Sequence, residues 1–157
     1  MDTIDKAAFL RTEFPSLLAQ LTSNAERKWG KMDAQQMVEH MSYAMRQANG
    51  KDEYELITPE EHVPKMQAFL MSDKPFKENT SNVLIGEDTV PNDRANIADA
   101  ITELREEINY FFEVFDKDPN RKVMNPFFGE LSYEMCVKLL YKHAWHHLNQ
   151  FGIDKQQ

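Results

Sequence analysis

The feature that most constrains the fold of this sequence is a long stretch, residues 93–115, whose apolar side chains return every three or four positions. The repeating positions are Ile97, Ile101, Leu104, Ile108, Phe111 or Phe112, and Phe115. This spacing places them on one face of an α-helix and leaves the charged residues between them on the other face. A helix of this length with one apolar face needs neighbouring helices to cover it.

Two segments near the ends of the chain have the same periodicity. Residues 5–21 predict a helix in which Pro15 causes a kink or separates a short first turn, because proline lacks the backbone N–H. Residues 133–151 predict the last helix, which Ser132 caps and Gly152 ends. Both segments therefore supply apolar faces that can cover the helix at 93–115.

Residues 33–48 predict the second helix of the chain. Asp33 and Gln36 have the spacing of a capping box, in which each side chain bonds the backbone N–H of the other residue. A shorter helix is predicted at 59–71, where Thr58 is the N-cap and a proline occupies the first helical position. This short helix is interpreted as an excursion between two longer ones.

The remaining segments lack a sustained period. Residues 72–91 predict a long loop, and a long loop in a compact domain often covers a site. Asn92 is the predicted cap of the third main helix, and residues 116–130 are a turn-rich connection to the fourth. The whole chain, residues 1–157, is therefore predicted to be one all-α domain, a four-helix bundle with a long crossover segment between helices two and three.

Charge and composition exclude several classes of function. The formal net charge of −8 disfavours phosphate backbones and anionic membrane surfaces, so neither a nucleic acid nor a membrane is expected as a partner. No apolar run approaches the length of a bilayer span, and residues 1–5 lack the basic start of a signal peptide, which predicts a cytoplasmic protein. The single cysteine, Cys136, excludes an intramolecular disulfide and a thiolate-rich metal cage, and it is interpreted as a small core residue.

Three of the five histidines lie in one five-residue stretch of the last predicted helix, residues 143–147. His143 and His147 are four positions apart, so their imidazoles can point at one metal ion from the same helix face. His146 lies nearer the boundary with the polar face set by Lys138, Lys142 and Asn149, and is either a second-shell group or an exposed neighbour. Gln150 lies one turn further on and could orient a ligand, contact a substrate, or have an ordinary polar role.

A third ligand is available on the second helix. His40 lies on the shoulder of that helix's apolar stripe, and buried imidazoles otherwise need individual hydrogen-bond partners. His62, among charged residues of the short helix, is expected at the surface. Three neutral imidazoles leave positions open for water or substrate, which is typical of a catalytic metal site. Zn, Ni, Co, Fe and Mn all accept imidazole, so the sequence predicts a divalent transition metal without choosing among them.

These residues also resemble a known group of proteins. The stretch Met37-Val38-Glu39-His40-Met41, with His143-x-x-x-His147-x-x-Gln150 at the end of the chain, resembles the DinB superfamily, also called DinB/YfiT-like. The stretch from Asn125 to Ser132 and the terminal motif HxxHHxxQFG are similar to a bacterial branch of unknown function. The resemblance spans essentially the whole chain in helix order. One departure is Asn125, where that branch more often has a histidine.

The resemblance implies a DinB-like four-helix bundle, often a homodimer, in which His40, His143 and His147 hold a divalent metal. Characterised members of the superfamily include S-transferases that use bacillithiol or mycothiol, and a mycothiol-dependent isomerase. By this resemblance, the expected partners are a small-molecule substrate and a low-molecular-weight thiol. The expected activity is that of a metal-dependent thiol S-transferase.

Two other functions remain open at the level of sequence. A metal-dependent hydrolase would need a general base, for which Glu39, Glu130 and Glu134 are candidates only by their position in the chain. A non-enzymatic, stress-associated metal-binding bundle would act through a dimer partner. Trp145, predicted near the polar side of the last helix, would fit such an interface, although a partly covered surface aromatic is the more common explanation.

Overall fold

Helices account for most of the residues that the computed structural model describes, which are 2–77 and 91–155. In chain order the elements are α1 (Thr3–Ala8), a π-helical segment (Phe9–Glu13), α2 (Phe14–Leu18), α3 (Ala34–Asn49), a 3₁₀ turn (Glu60–His62), α4 (Val63–Met71), α5 (Ile97–Lys117), β1 (Val123–Asn125), β2 (Gly129–Leu131) and α6 (Tyr133–Gln150). The prediction of a mostly helical chain is confirmed. Most of the predicted long loop, residues 78–90, lies outside the described residues, and so does the prediction that it covers a site.

The first predicted helix runs from Thr3 to Leu18 without a break, but its middle is π-helical. The N–H of Phe14 donates to the carbonyl of Phe9, five residues earlier. Pro15 follows as the second residue of α2, so its missing N–H falls directly after the π-helical turn. The wider π turn therefore stands where the sequence predicted a kink or a separate turn.

The ends of α3 are those that its sequence signals predicted. Asp33 accepts the backbone N–H of Gln36 at 2.7 Å, and the Gln36 side chain accepts the N–H of Asp33 at 2.9 Å, which completes the capping box. Gly50 follows the last helical residue with φ of +83°, the left-handed conformation that glycine adopts without strain. The two signals together fix where α3 begins and ends, and so where His40 lies on it.

The predicted start of α5 is wrong by four residues, because Asn96 and not Asn92 is its cap. The Asn96 side chain accepts the N–H of Asp99 at 2.8 Å. The N–H of Asp93, just after Asn92, instead donates to the Glu39 carboxylate of α3 at 2.7 Å. This contact between distant parts of the chain holds the segment before α5 against α3.

The core lies between α3 and α5, which pack along their lengths, and α6 closes it from the side of α1 and α4. Its largest fully buried side chains are Leu10, Phe14, Leu18, Met37, Met41, Met45, Leu70, Leu104, Ile108, Phe111, Phe128 and Leu131. Among the described residues, no helix is both long and apolar enough to cross a bilayer. On α3 and α5, the faces that the sequence periodicity selected are the faces that are buried here.

A small hairpin, which the sequence pattern did not predict, interrupts the connection before α6. Strands β1 and β2 are antiparallel, with Asn125 opposite Gly129. The Asn125 side chain accepts the N–H groups of Phe127 and Phe128 at 2.9 and 3.0 Å, so it stabilises the turn between the strands. Asn125, the departure from the DinB-like motif, is therefore a turn-forming residue in this chain.

Candidate metal centre

Three imidazoles from two helices converge inside the protein. His40 lies on α3, while His143 and His147 lie one turn apart on α6. The Nε2 atom of His143 is 3.0 Å from Nε2 of His40 and 3.0 Å from Nε2 of His147. One nitrogen of each ring lies within 4.8 Å of the other two. The structure therefore brings together the three residues that the sequence singled out as metal ligands.

The cluster is buried on its α6 side. His143 is 8% exposed and His147 is 1% exposed, whereas His40 is half-buried. The three ring centroids are 4.8 to 5.0 Å apart. The more exposed edge of the cluster is thus the one formed by His40.

The surroundings keep the buried imidazoles neutral. Burial, followed by the neighbouring His147 and His40, holds the pKa of His143 well below its ordinary value. Burial is also the main cause that lowers the pKa of His147, with His40 and His146 as further causes. Neutral imidazole is the form that donates a lone pair to a metal ion. The arrangement therefore favours binding of an external cation over protonation.

A hydrogen-bond chain fixes the orientation of His147. The Nε2 of Gln150 donates to the backbone carbonyl of Trp29 at 2.9 Å, which turns the Gln150 Oε1 towards Nδ1 of His147 at 2.8 Å. Because an amide oxygen can only accept, Nδ1 of His147 carries the proton. Nε2 of His147 therefore presents its lone pair to the other two rings, as in metal sites whose ligands are oriented by an outer hydrogen bond.

The Trp29 carbonyl was not predicted as part of this arrangement, although the sequence holds one signal for it. Gly30 follows Trp29 and has φ of +79°, and a Cβ atom at Gly30 would lie 2.6 Å from Nε2 of Gln150. Only glycine therefore lets the chain pass this close to the Gln150 amide. A Trp-Gly pair in a loop does not reveal from sequence which side chain it meets.

His146 is more deeply buried than its predicted position at the helix boundary implied. It is 7% exposed, its ring lies 5.0 Å from the ring of His147, and it packs against Trp29 and Phe76. Burial lowers its pKa to about 4, against the opposing effect of a hydrogen bond with the Phe76 backbone. Its contact with His147 is compatible with the predicted second-shell role, which stays a prediction.

The helical wheel misplaced His146 because it treated Lys142 as a marker of the solvent face. Lys142 is only 9% exposed, since its ammonium donates to the carbonyls of Ser72, at 2.9 Å, and Lys74. Residues 72–77 therefore cover this side of α6. The periodicity of one helix carries no information about a distant segment that folds over it.

The three carboxylates considered as general bases lie outside the histidine cluster. Glu39 is next to His40 in sequence, but its oxygens accept the backbone N–H of Asp93 at 2.7 Å and the side-chain amide of Gln35 at 2.9 Å. Glu130 and Glu134 are exposed. Within residues 2–77 and 91–155, the metal-ligand cluster around His143 consists of imidazoles alone.

Two other predictions about site residues are confirmed. Cys136 is a core residue, 1% exposed, and burial raises the pKa of its thiol to about 12, so the thiol is protonated at neutral pH. His62 is at the surface, and its side chain is 62% exposed. Neither residue belongs to the histidine cluster.

Comparisons of this chain with protein-family models, with curated proteins and with solved structures give no match. The resemblance to the DinB superfamily therefore rests on the motifs alone. The metal centre rests on the geometry of His40, His143 and His147.

Proposed function

We propose that this chain binds a divalent transition metal through His40, His143 and His147 and is a metal-dependent enzyme. The observation that carries the proposal is the convergence of three ring nitrogens, two pairs of them 3.0 Å apart. Two Zn–N bonds of about 2.1 Å at a tetrahedral angle separate their nitrogens by about 3.4 Å. For the two pairs at 3.0 Å, an adjustment of about half an ångström would thus suit the nitrogens to an ion.

We further propose that the fold is a DinB-like four-helix bundle and that the chain forms a homodimer. The order of the helices and the placement of His40 on α3 and of His143 and His147 on α6 support the first part. The first helix, α3, α5 and α6 would be the four members of the bundle. The dimer rests on the sequence resemblance alone.

The proposed reaction is transfer of a low-molecular-weight thiol to an electrophilic small molecule. A bound divalent ion would supply Lewis-acid chemistry, lowering the pKa of a thiol or a water at its open positions. The protein's own contribution is positional, since Gln150 keeps the proton on Nδ1 of His147 and burial keeps His143 neutral. The half-buried side of the cluster at His40 offers the approach for a substrate.

Hydrolysis is the second candidate, and the hydrogen bonds of Glu39 count against it. A general base needs a free lone pair within reach of water, whereas the Glu39 carboxylate is engaged by Gln35 and Asp93. A non-enzymatic, stress-associated metal-binding bundle that acts through a dimer partner is the third candidate. Trp145 would serve it only in part, because its ring already stacks on Phe9 of the same chain, with centroids 5.1 Å apart.

Elemental analysis of the purified protein and of His40→Ala and His147→Ala variants tests the metal. We expect the wild type and the surface control His62→Ala to retain the metal and both cluster variants to lose it. Equal metal content in all four proteins would contradict the site. With metal present, thiol consumption with a panel of electrophiles supports the transferase, while ester or amide turnover without thiol supports the hydrolase.

A further inference from the structure

A second concave site lies on the far side of His146 from the metal centre. It is a cleft of about 460 Å³ between α6, α1 and residues 72–76. Its wall is unusually basic for a protein of net charge −8, because five lysines line it against one aspartate, Asp73. The five are Lys6, Lys74, Lys138, Lys142 and Lys155. We call this site the lysine cleft.

Two of these lysines contact the same aromatic ring. The ammonium groups of Lys6 and Lys155 lie 5.4 and 4.9 Å from the ring centroid of Tyr141. Lys142, the residue after Tyr141, also lines the cleft, and its ammonium lies 4.7 Å from the ring centroid of Phe69. Holding like charges together costs free energy, which a bound anion would relieve.

Internal neutralisation of this charge is limited. Among residues 2–77 and 91–155, no carboxylate lies within 4 Å of the ammonium of Lys6, Lys142 or Lys155. Lys138 has a 3.8 Å ion pair with the exposed Glu134. The described residues therefore leave the lysine cleft with an excess of positive charge.

The cleft also has broad aromatic walls. Both tryptophans of the chain, Trp29 and Trp145, line it together with Phe76 and Tyr141. Its volume lies within the range of about 300 to 1,000 Å³ that is typical of small-molecule pockets. Flat apolar walls beside ammonium groups suit a molecule with a planar apolar part and an anionic group better than they suit a small inorganic ion.

We propose that the lysine cleft binds a small organic anion, a carboxylate or phosphate ester attached to a planar apolar group. This site is separate from the histidine cluster, since His40, His143 and His147 do not line it. Phe76 and His146 lie between the two, with ring centroids 6.0 Å from His143 and 5.0 Å from His147, respectively. The proposal goes beyond the metal-dependent activity and does not depend on it.

Calorimetry and the intrinsic fluorescence of the two tryptophans test the proposal, with phenylacetate and phenyl phosphate as anionic probes. Phenylacetamide is the control that lacks the charge of phenylacetate. Inorganic phosphate is the control that lacks the apolar group of phenyl phosphate. We expect at least one anionic probe to bind about tenfold more tightly than both controls, as expected for charge attraction in a partly buried site. The relative affinities of the two probes then distinguish carboxylate from phosphate.

A pair of double variants locates the binding. Lys6→Gln with Lys155→Gln removes two cations of the cleft, and Lys117→Gln with Lys122→Gln removes two exposed cations elsewhere. We expect the first double variant to lose the tenfold preference for the anionic probe and the second double variant to retain it. Three results would overturn the proposal. The wild type could bind the anionic probes and their controls equally, it could bind none of them, or both double variants could lose the preference to the same extent.

Treatment with a chelator separates this proposal from the metal centre. We expect phenylacetate or phenyl phosphate to bind the chelated protein as tightly as the untreated protein. Loss of binding on chelation would mean that the anion sits on the metal, which would overturn the lysine cleft as a separate site. Retained binding together with a failed metal analysis would leave the cleft standing and the proposed enzyme refuted.

Discussion

Two buried polar clusters share helix α3, and they are built in opposite ways. The first surrounds Glu107 of α5, which is 6% exposed. Its carboxylate receives the ammonium of Lys51 at 2.8 Å, the side-chain amide of Asn49 at 3.1 Å and the guanidinium of Arg46 at 3.6 Å. The second cluster is His40, His143 and His147, in which nitrogen faces nitrogen.

The difference lies in where each cluster finds its partners. Glu107 is an acceptor surrounded by donors of the same chain, so its charge and its hydrogen bonds are satisfied internally. The histidine cluster gathers groups of one kind, and burial together with the neighbouring His40 lowers the pKa of both His143 and His147. A buried acceptor with donors around it joins two helices, whereas imidazole nitrogens that face each other are arranged to share a cation.

Loss of one imidazole from the histidine cluster should have the largest effect of all. His147→Ala removes one of three proposed ligands, and we expect zinc affinity to fall by more than about a thousandfold, or about 4 kcal/mol. Competition with a chromophoric chelator measures it, with His62→Ala as the surface control. Unchanged zinc affinity would mean that the histidine cluster, like the Glu107 cluster, does not bind a metal ion through His147.

Loss of the Glu107 carboxylate should act on stability and leave metal affinity unchanged. Glu107→Ala removes the side-chain acceptor of Asn49, the counter-charge of Lys51 and one of the carboxylates around Arg46, so we expect a loss of about 3 kcal/mol in the free energy of unfolding. Urea titration measures it, with the exposed Glu106→Ala on the same helix as the control. A change below about 1 kcal/mol would show that the network contributes little to stability.

A smaller effect should follow when the outer hydrogen bond of the histidine cluster is removed. Gln150→Leu keeps the size of the side chain but no longer holds the proton on Nδ1 of His147, so we expect metal affinity to drop about 10- to 100-fold. Chelator competition is again the measurement, and the exposed Gln20→Leu is the control. Affinity equal to that of the wild type would mean that helix packing alone orients His147.

A further effect on stability is expected from acid, acting on the metal-free protein. The folded pKa values of His143 and His147 lie well below the ordinary value of 6.5, so below that pH the unfolded chain binds protons that the folded chain does not. Stability should therefore be full above about pH 7 and fall by about 1 kcal/mol per histidine for each pH unit below 6.5. Thermal unfolding between pH 7 and 5 measures it.

A variant with glutamine at positions 40, 143 and 147 is the comparison for this acid effect. Its unfolding temperature should change less between pH 7 and 5 than that of the wild type, because the groups that resist protonation are gone. Parallel pH profiles for the two proteins would show that the acid sensitivity arises outside the histidine cluster.

The three clustered histidines could be predicted from sequence because their positions depend on local periodicity. The four-residue spacing of His143 and His147 becomes a shared face once α6 forms, and the stripe of α3 turns His40 inward. The Asp33 capping box and the Gly50 stop fixed the ends of α3 in the same local way. Each of these signals acts within a few residues of the chain.

What the sequence did not reveal depends on contacts between distant segments. The cover over Lys142 by residues 72–77, and the Trp29 carbonyl that holds Gln150, join parts of the chain about 70 and 120 residues apart. The Asn96 cap was missed for the same reason, since Glu39 holds the segment before it. Helical patterns state which face is buried but not which segment covers it.

The π-helical segment Phe9–Glu13 makes the two halves of the first helix present different faces to their neighbours. A π turn holds about one residue more than an α turn, so side chains before it are rotated by roughly 100° relative to those after it. Phe9 and Lys6 consequently contact α6, at Trp145 and Tyr141, while α2 packs on α5. Shortening this segment by one residue would turn Lys6 away from the lysine cleft and leave the apolar face of α2 in place.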